Sequence, residues 1–240
     1  ANTEIAMDGI YIPYCINSWT GEVTQLANYR WENGKTVFPL SLQYQDIALY
    51  AFEPAKEEDE HLVSAGLDTY VTEDGIVLRA TESGIYPIET AYGNTFNFNA
   101  HVPAAYDITD WDVRVESWNQ GEEIFRTDTF TDSKGNTAVE HTYATQTTPI
   151  EVKLDKLTTW DKIPQVGKEV SGQGFYTATF QWDGQADGAY IDFGKLRSTM
   201  EIRINGVKTT DLNMNVPVID VTDYLKVGEN TIELTYSSNL

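Results

Sequence analysis

The segment that decides the fold spans residues 170–180, Val-Ser-Gly-Gln-Gly-Phe-Tyr-Thr-Ala-Thr-Phe. Alternate residues of a β-strand point to opposite faces of a sheet. Tyr176, Ala178 and Phe180 therefore share one apolar face, which we expect to lie in a core. Phe175 shares the opposite face with the intervening threonines. The alternation predicts a strand over residues 175–182.

Turn signals extend this β pattern toward both ends of the chain. Asn205-Gly206 follows a strand-like stretch at 199–204, and Asn33-Gly34 and Asp74-Gly75 each separate two such stretches. Both central residues of a type I′ hairpin turn need positive φ, which these residue pairs tolerate. Three hairpins are therefore predicted at these positions.

Many short strands without intervening helical patterns predict an all-β fold with two tandem β-sandwich regions. The further predicted strands are 22–31, 35–42, 47–53, 67–72, 76–80, 111–118, 124–131, 138–145, 189–193 and 231–237. Short helical turns are expected only at 157–163 and 221–225.

The charge of the chain limits its partners. The 240 residues carry 16 Lys and Arg against 37 Asp and Glu, which gives a formal net charge of −21. This charge repels phosphate backbones and anionic lipid, so neither a nucleic-acid partner nor a membrane partner is expected. No stretch approaches the roughly 18 apolar residues of a spanning helix, and no membrane insertion is predicted.

The strand pattern breaks at residues 101–106, His-Val-Pro-Ala-Ala-Tyr, and restarts at Trp111. We therefore predict two domains, 1–105 and 106–240. The acidic, proline-containing stretch 53–60 is expected to be an exposed connection. The chain begins without methionine and ends directly after a strand-like stretch, so we expect it to be a piece of a longer protein.

Five segments of the C-terminal half follow one another in a characteristic order. They are 157–160 (LTTW), 170–180 (VSGQGFYTATF), 188–194 (GAYIDFG), 201–206 (EIRING) and 219–232 (IDVTDYLKVGENTI). This order resembles the galactose-binding-like β-sandwich, or sugar-binding domain, of family 2 glycoside hydrolases and related large bacterial glycosidases such as α-L-rhamnosidase-like enzymes. Residues 207–215 depart from the family 2 pattern, which is rich in glycine and histidine here.

The resemblance implies that residues 106–240 form a galactose-binding-like jelly roll of carbohydrate-binding type. Residues 1–105 are similar to β-sandwich segments that follow the catalytic domain in such glycosidases. The catalytic machinery of the family belongs to a separate barrel of about 250 residues, for which this chain has no room. We therefore expect no enzymatic activity of the fragment itself.

The sequence hypothesis is a non-catalytic carbohydrate-binding module of a secreted bacterial glycoside hydrolase, located outside the cell or on its surface. Its expected partners are a polysaccharide or oligosaccharide and the catalytic domain of the parent chain. Two alternatives stay open at this point. The first is a structural β-sandwich that packs on the catalytic domain without binding sugar, and the second is a small stand-alone glycosidase or lyase.

Candidate carbohydrate-binding residues are aromatic rings at strand ends and polar side chains in loops, since sugar rings stack on aromatic faces and sugar hydroxyls need hydrogen-bond partners. The candidates are Trp118, Trp160, Trp182, Tyr190, Asn205 and Asp211. The same tryptophans also build sandwich cores, and burial is the alternative for each of them.

No cofactor is expected except possible structural calcium, for which the acidic loops supply oxygen ligands. The candidates are Asp107, Asp110, Asp183 and Asp187, but none lies in the D-x-[DN]-x-[DN]-G pattern, so ordinary turns are the preferred explanation. With 37 acidic residues many carboxylate pairs arise by chance; Asp112 and Glu116, for example, share a strand face that could flank a groove, but solvent-facing alternation explains them without a catalytic role. Cys15 is expected to be a small apolar residue rather than a reactive thiol.

Overall fold

The computed structural model describes residues 2–42, 47–56 and 59–238, without the side chains of residues 2, 125–130 and 138–140. Its described residues form two compact units. The first comprises residues up to Ala105 together with Gln185–Lys195 and Thr210–Ile219; the second comprises Tyr106–Gly184, Leu196–Thr209 and residues from Asp220 onward. The predicted domains 1–105 and 106–240 differ from this division in the two inner segments of the first unit, and their independence as folding domains stays a prediction.

The fold is all-β, as predicted. The strands are β1 (Asn2–Asp8), β2 (Tyr11–Ile16), β3 (Val23–Gln25), β4 (Arg30–Glu32), β5 (Lys35–Ser41), β6 (Leu49–Pro54), β7 (Leu62–Ala65), β8 (Asp68–Thr72), β9 (Gly75–Arg79), β10 (Gly84–Thr90), β11 (Thr95–Ala100), β12 (Trp111–Thr131), β13 (Thr137–Leu154), β14 (Gly172–Trp182), β15 (Tyr190–Asp192), β16 (Met200–Ile204), β17 (Val207–Lys208), β18 (Val218–Asp220) and β19 (Gly228–Ser238). Two single-turn 3₁₀ helices lie at Trp160–Lys162 and Thr222–Tyr224, inside the predicted helical turns.

The first unit is built from small antiparallel sheets. Their strand orders are β1-β5-β4, β3-β2-β6, β11-β10-β7 and β8-β9, and β15 pairs with β18. Tyr29, Phe38 and Ile88 are fully buried and mark the core of this unit. Thr36 is buried beside them, where its hydroxyl donates to the carbonyl of Gly9 and accepts from the backbone N–H of Tyr11, so its polar group is satisfied.

The second unit contains one antiparallel sheet of six strands in the order β13-β12-β14-β19-β16-β17. Alternate residues of its central strands are buried on a single face. These are Trp111, Val113, Val115, Tyr176, Ala178, Ile202, Ile204, Ile232 and Leu234. The prediction that Tyr176, Ala178 and Phe180 face a core is confirmed for Tyr176 and Ala178, while Phe180, near the end of β14, is half-buried.

Two of the three predicted hairpin turns are confirmed. Asn33-Gly34 joins β4 to β5 and Asn205-Gly206 joins β16 to β17, and all four residues have positive φ. The third prediction is wrong by one residue. Thr72 pairs with Gly75, so the turn residues are Glu73 and Asp74, neither of which has positive φ. Gly75 is instead the first residue of β9. Its φ of 125° is a conformation that only glycine adopts without strain.

Strands predicted separately at 111–118 and 124–131 are one continuous strand, β12. The interval between them contains a register shift against β13, between Gln120 and Glu123, rather than a turn, because the extra residue is accommodated as a bulge. Conversely, the predicted strand 22–31 is two short strands, β3 and β4. The exposed connection predicted at 53–60 includes residues 57 and 58, which lie outside the described residues. No helix in the described part of the chain is long and apolar enough to cross a membrane.

Candidate functional site

Trp160 lies in the core of the second unit. The residue is 9% exposed, its indole N–H donates to the Tyr176 hydroxyl at 2.6 Å, and its ring contacts the Tyr236 ring edge-on with centroids 5.6 Å apart. A buried ring cannot stack on a sugar, so this position favours the core alternative for Trp160.

The side chain of Asn205 stabilises the hairpin turn by hydrogen bonds and does not face an open surface. Its side-chain amide donates to the carbonyl of Tyr224 at 2.9 Å and to Oδ1 of Asn230 at 2.8 Å, and its own Oδ1 accepts from the N–H of Thr231. Asn230 is completely buried and bonds both the N–H and the carbonyl of Lys226. The two asparagines thus join the turn to the start of β19, a structural role that uses the amide of Asn205.

Trp118 and Trp182 are far apart in the second unit. Ser117 pairs with Gly172 at one end of β14, and Trp182 is the last residue at the other end. At about 3.3 Å per residue, roughly 30 Å of strand separates them. Trp182 is half-buried, whereas Trp118 is 43% exposed. The two tryptophans therefore do not contribute to one site.

Tyr190 belongs to a cluster in the first unit that we call the tyrosine–arginine cluster, formed by Tyr70, Arg79 and Tyr190. The Arg79 Cζ lies 5.4 Å from the centroid of the Tyr70 ring and 5.2 Å from that of Tyr190. Arg79 Nη1 also donates a hydrogen bond of 2.6 Å to the Tyr190 hydroxyl. Cation–π and hydrogen-bond contacts of this kind fix ring orientation. Tyr190 nevertheless stays 41% exposed.

Sequence reasoning missed Tyr70 and Arg79. Because Tyr70 pairs with Val77 and Asp68 pairs with Arg79, alternation places Tyr70 and Arg79 on one face of the β8–β9 hairpin. The hairpin predicted from the sequence therefore already implied that Tyr70 and Arg79 share a face. Nothing in the sequence connects this face with Tyr190, which is 111 residues from Arg79. Asp211 is exposed.

The acidic side chains considered for calcium are dispersed. Asp107 forms an ion pair with Lys156, and Asp110, at φ 60°, accepts a hydrogen bond from Thr109. Asp183 and Asp187 are exposed. Among the described residues, no three His, Cys, Asp or Glu side chains are grouped so that they could hold a metal ion. Calcium held partly by backbone carbonyls stays a prediction.

The carboxylates considered for catalysis are engaged by basic neighbours. Asp112 lies 2.8 Å from Nζ of Lys153, and Glu116 pairs with Arg114 on the same strand. Both ion pairs lie at the sheet surface, which agrees with the solvent-exposed alternative for Asp112 and Glu116.

A buried histidine lies in the core of the first unit. His61 stacks on the Tyr29 ring with centroids 4.1 Å apart, contacts Trp31 at 4.7 Å, and bonds the Asp59 carbonyl through Nδ1. Burial lowers the pKa of His61, while Asp59 acts in the opposite direction more weakly. The Tyr29 hydroxyl is buried without a described hydrogen-bond partner, and burial raises its pKa. The cluster therefore favours a neutral imidazole.

Acidification is expected to destabilise the first unit through His61. The unfolded state binds a proton near the ordinary pKa of 6.5, whereas the folded state binds it only at lower pH. Stability is therefore full above pH 6.5 and falls as the pH drops below it. Urea unfolding at about pH 7.5 and about pH 5 should show this loss, and His61→Phe, which keeps the stack on Tyr29, should reduce it. An equal loss in the variant would contradict the assignment to His61.

Comparisons with known proteins support the fold and leave the family open. No family model matches the chain, and no curated protein shows significant similarity to it. Among solved structures, a rhamnosidase from Novosphingobium sp. PP1Y is similar over the whole chain, with a TM-score of 0.58 and 18% sequence identity. The chain spans 18% of the length of that rhamnosidase. At this identity the similarity concerns the all-β fold alone.

Proposed function

We propose that this chain is a non-catalytic, carbohydrate-binding part of a larger glycoside hydrolase. The observation that carries the proposal is the tyrosine–arginine cluster, in which the guanidinium of Arg79 fixes the exposed ring of Tyr190. A ring held in one orientation offers a stacking face to a sugar at little entropic cost. Its own hydroxyl and neighbouring polar groups supply the hydrogen bonds that sugar hydroxyls need.

The similarity to part of a rhamnosidase supports a glycosidase as the parent protein. In that setting, weak binding by the module raises the concentration of substrate near a linked catalytic domain. We therefore propose a polysaccharide or oligosaccharide as ligand and the catalytic domain of the parent chain as neighbour. The proposed location is outside a bacterial cell or on its surface, where such polymers occur.

Affinity electrophoresis against a panel of soluble plant and microbial polysaccharides tests the proposal. Native chain should be retarded by at least one glycan, and Tyr190→Ala should weaken that binding about fivefold, because one aromatic contact contributes on the order of 1 kcal/mol. Tyr92→Ala is the matched control, since Tyr92 is an exposed tyrosine outside the cluster. Parallel gels with calcium and with a chelator test the calcium prediction.

Retardation by no member of the panel would contradict the proposal and favour a structural module that packs on the catalytic domain. Retardation that is equal in the native chain and Tyr190→Ala would retain carbohydrate binding but remove the tyrosine–arginine cluster as its site. Release of reducing sugar by purified chain would instead favour the stand-alone glycosidase or lyase.

A further inference from the structure

The longest hairpin of the second unit continues beyond its sheet. β12 pairs with β14 only along Asp112–Ser117, and from Trp118 onward its described strand partner is β13. Residues 118–131 and 137–147 thus form a two-stranded extension, which we call the ribbon. Its 14 residues on β12 correspond to roughly 45 Å of strand. Isolated two-stranded hairpins are only marginally stable in water, so contact with a partner would stabilise the ribbon.

Among the side chains that the structure describes, one face of the ribbon carries two exposed aromatic rings. Trp118 pairs with Thr147, and Gln120 pairs with Thr145. Tyr143, two residues further along β13, lies on the same face because the extra residue at this register shift belongs to β12. Trp118 is 43% exposed and Tyr143 is 42% exposed. Four residues of β13 separate the two positions, which corresponds to about 13 Å.

Gln120 and Thr145, which pair between the two rings, are neutral and exposed, as is Thr147 opposite Trp118. Their amide and hydroxyl groups both donate and accept hydrogen bonds. Carboxylates lie at both ends of this stretch: Glu116 is beside Arg114, and Glu123, which follows Glu122 in the bulge, pairs directly with Tyr143 and is bonded to His141. We define the ring-bearing face as Trp118, Gln120, Tyr143, Thr145 and Thr147.

The composition of this face matches a sugar polymer better than a protein. Protein interfaces have apolar centres enriched in aromatic residues, Met and Arg. On this face the two described rings lie about 13 Å apart with polar side chains between them, so they form no contiguous apolar centre. Among the ribbon side chains that the structure describes, the exposed aliphatic residue Ile124 pairs with Thr142 and therefore points to the opposite face. The flanking carboxylates and the net charge of −21 disfavour an anionic polymer. Two rings with neutral hydrogen-bonding groups between them complement an extended, uncharged chain of pyranose rings.

We propose that the ring-bearing face binds a linear, neutral glycan that lies along the ribbon, stacked on Trp118 and Tyr143 at its two ends. This inference rests on the proposed carbohydrate-binding function and adds a site in the second unit. The site is separate from the tyrosine–arginine cluster, and it selects for polymer length and for absence of charge. Oligosaccharides too short to reach both rings bind weakly there.

Isothermal titration of the full chain with arabinoxylan, galactomannan and hydroxyethylcellulose, and with polygalacturonate as the anionic comparison, tests this site. For at least one neutral glycan, Trp118→Ala and Tyr143→Ala should each reduce affinity about tenfold. Ile124→Ala, on the opposite face, is the matched control and should bind like the native chain. Circular dichroism spectra identical to those of the native chain establish that each variant is folded.

The outcomes separate this inference from the proposed function. Neutral-glycan binding that survives Trp118→Ala and Tyr143→Ala but falls in Tyr190→Ala would overturn the ribbon site and retain the proposed function. Preference for polygalacturonate, or equal loss in Ile124→Ala, would also overturn the ribbon site. If no glycan binds, both proposals fail, and capture of a polypeptide by the ribbon becomes the explanation of its length.

Discussion

Gly172→Ala is expected to prevent normal formation of the six-stranded sheet. A Cβ at this position would lie 1.9 Å from the carbonyl oxygen of Glu116, and the φ of +152° is one that residues with side chains rarely adopt. The obstructing atom is backbone, and Ser117 pairs directly with Gly172, so relief requires β12 and β14 to separate. We expect a loss of about 4 kcal/mol or more in the free energy of unfolding, at the severe end of single substitutions.

Urea unfolding followed by circular dichroism measures this loss, and failure to obtain folded protein is the same result in its strongest form. Gly66→Ala is the matched control, because its new Cβ would meet only the Tyr86 ring at an ordinary 3.8 Å. A change below about 1 kcal/mol in Gly172→Ala, similar to the control, would mean that β12 and β14 are not paired in this register.

Gly172 also illustrates what the sequence could predict. The alternation after it identified β14 and its buried face, since one-sided burial imposes period 2 on the side chains. No local pattern in the sequence indicates that position 172 must be glycine. Its requirement comes from the approach of Glu116, 56 residues earlier, which depends on strand pairing. Pairing between distant strands is set by tertiary packing and register, and a single sequence does not encode it locally.

For the candidate site, too, local sequence features could be predicted and contacts between distant residues could not. Tyr190 and Trp118 were recognisable as aromatic residues near strand ends, and both are exposed. Their neighbours were not predictable. Arg79 reaches Tyr190 through tertiary structure, and Tyr143 aligns with Trp118 only because β12 continues through a bulge where the sequence indicated two separate strands.

Trp160→Ala is expected to lower the free energy of unfolding of the second unit by about 3–5 kcal/mol, because truncating a buried tryptophan removes apolar contacts and leaves a cavity. The Trp160 ring packs against Gly174, a position without a side chain. At Gly174, a Cβ would lie 3.1 Å from the Trp160 ring and 2.8 Å from that of Tyr176. The loss of the indole N–H also removes a bond to the buried Tyr176 hydroxyl.

Comparison of Trp160→Ala, Trp160→Phe and Trp118→Ala distinguishes the effect of lost packing from that of a lost hydrogen bond and that of a lost sugar contact. Trp160→Phe keeps a ring but no donor, so we expect it to recover more than half of the stability that Trp160→Ala loses. Trp118→Ala is the matched control, because it removes an exposed tryptophan from the same unit and should cost less than about 1 kcal/mol. If Trp160→Ala were equally mild and abolished glycan binding instead, the ring would have to face solvent, and both its core position and the packing over Gly174 would be wrong.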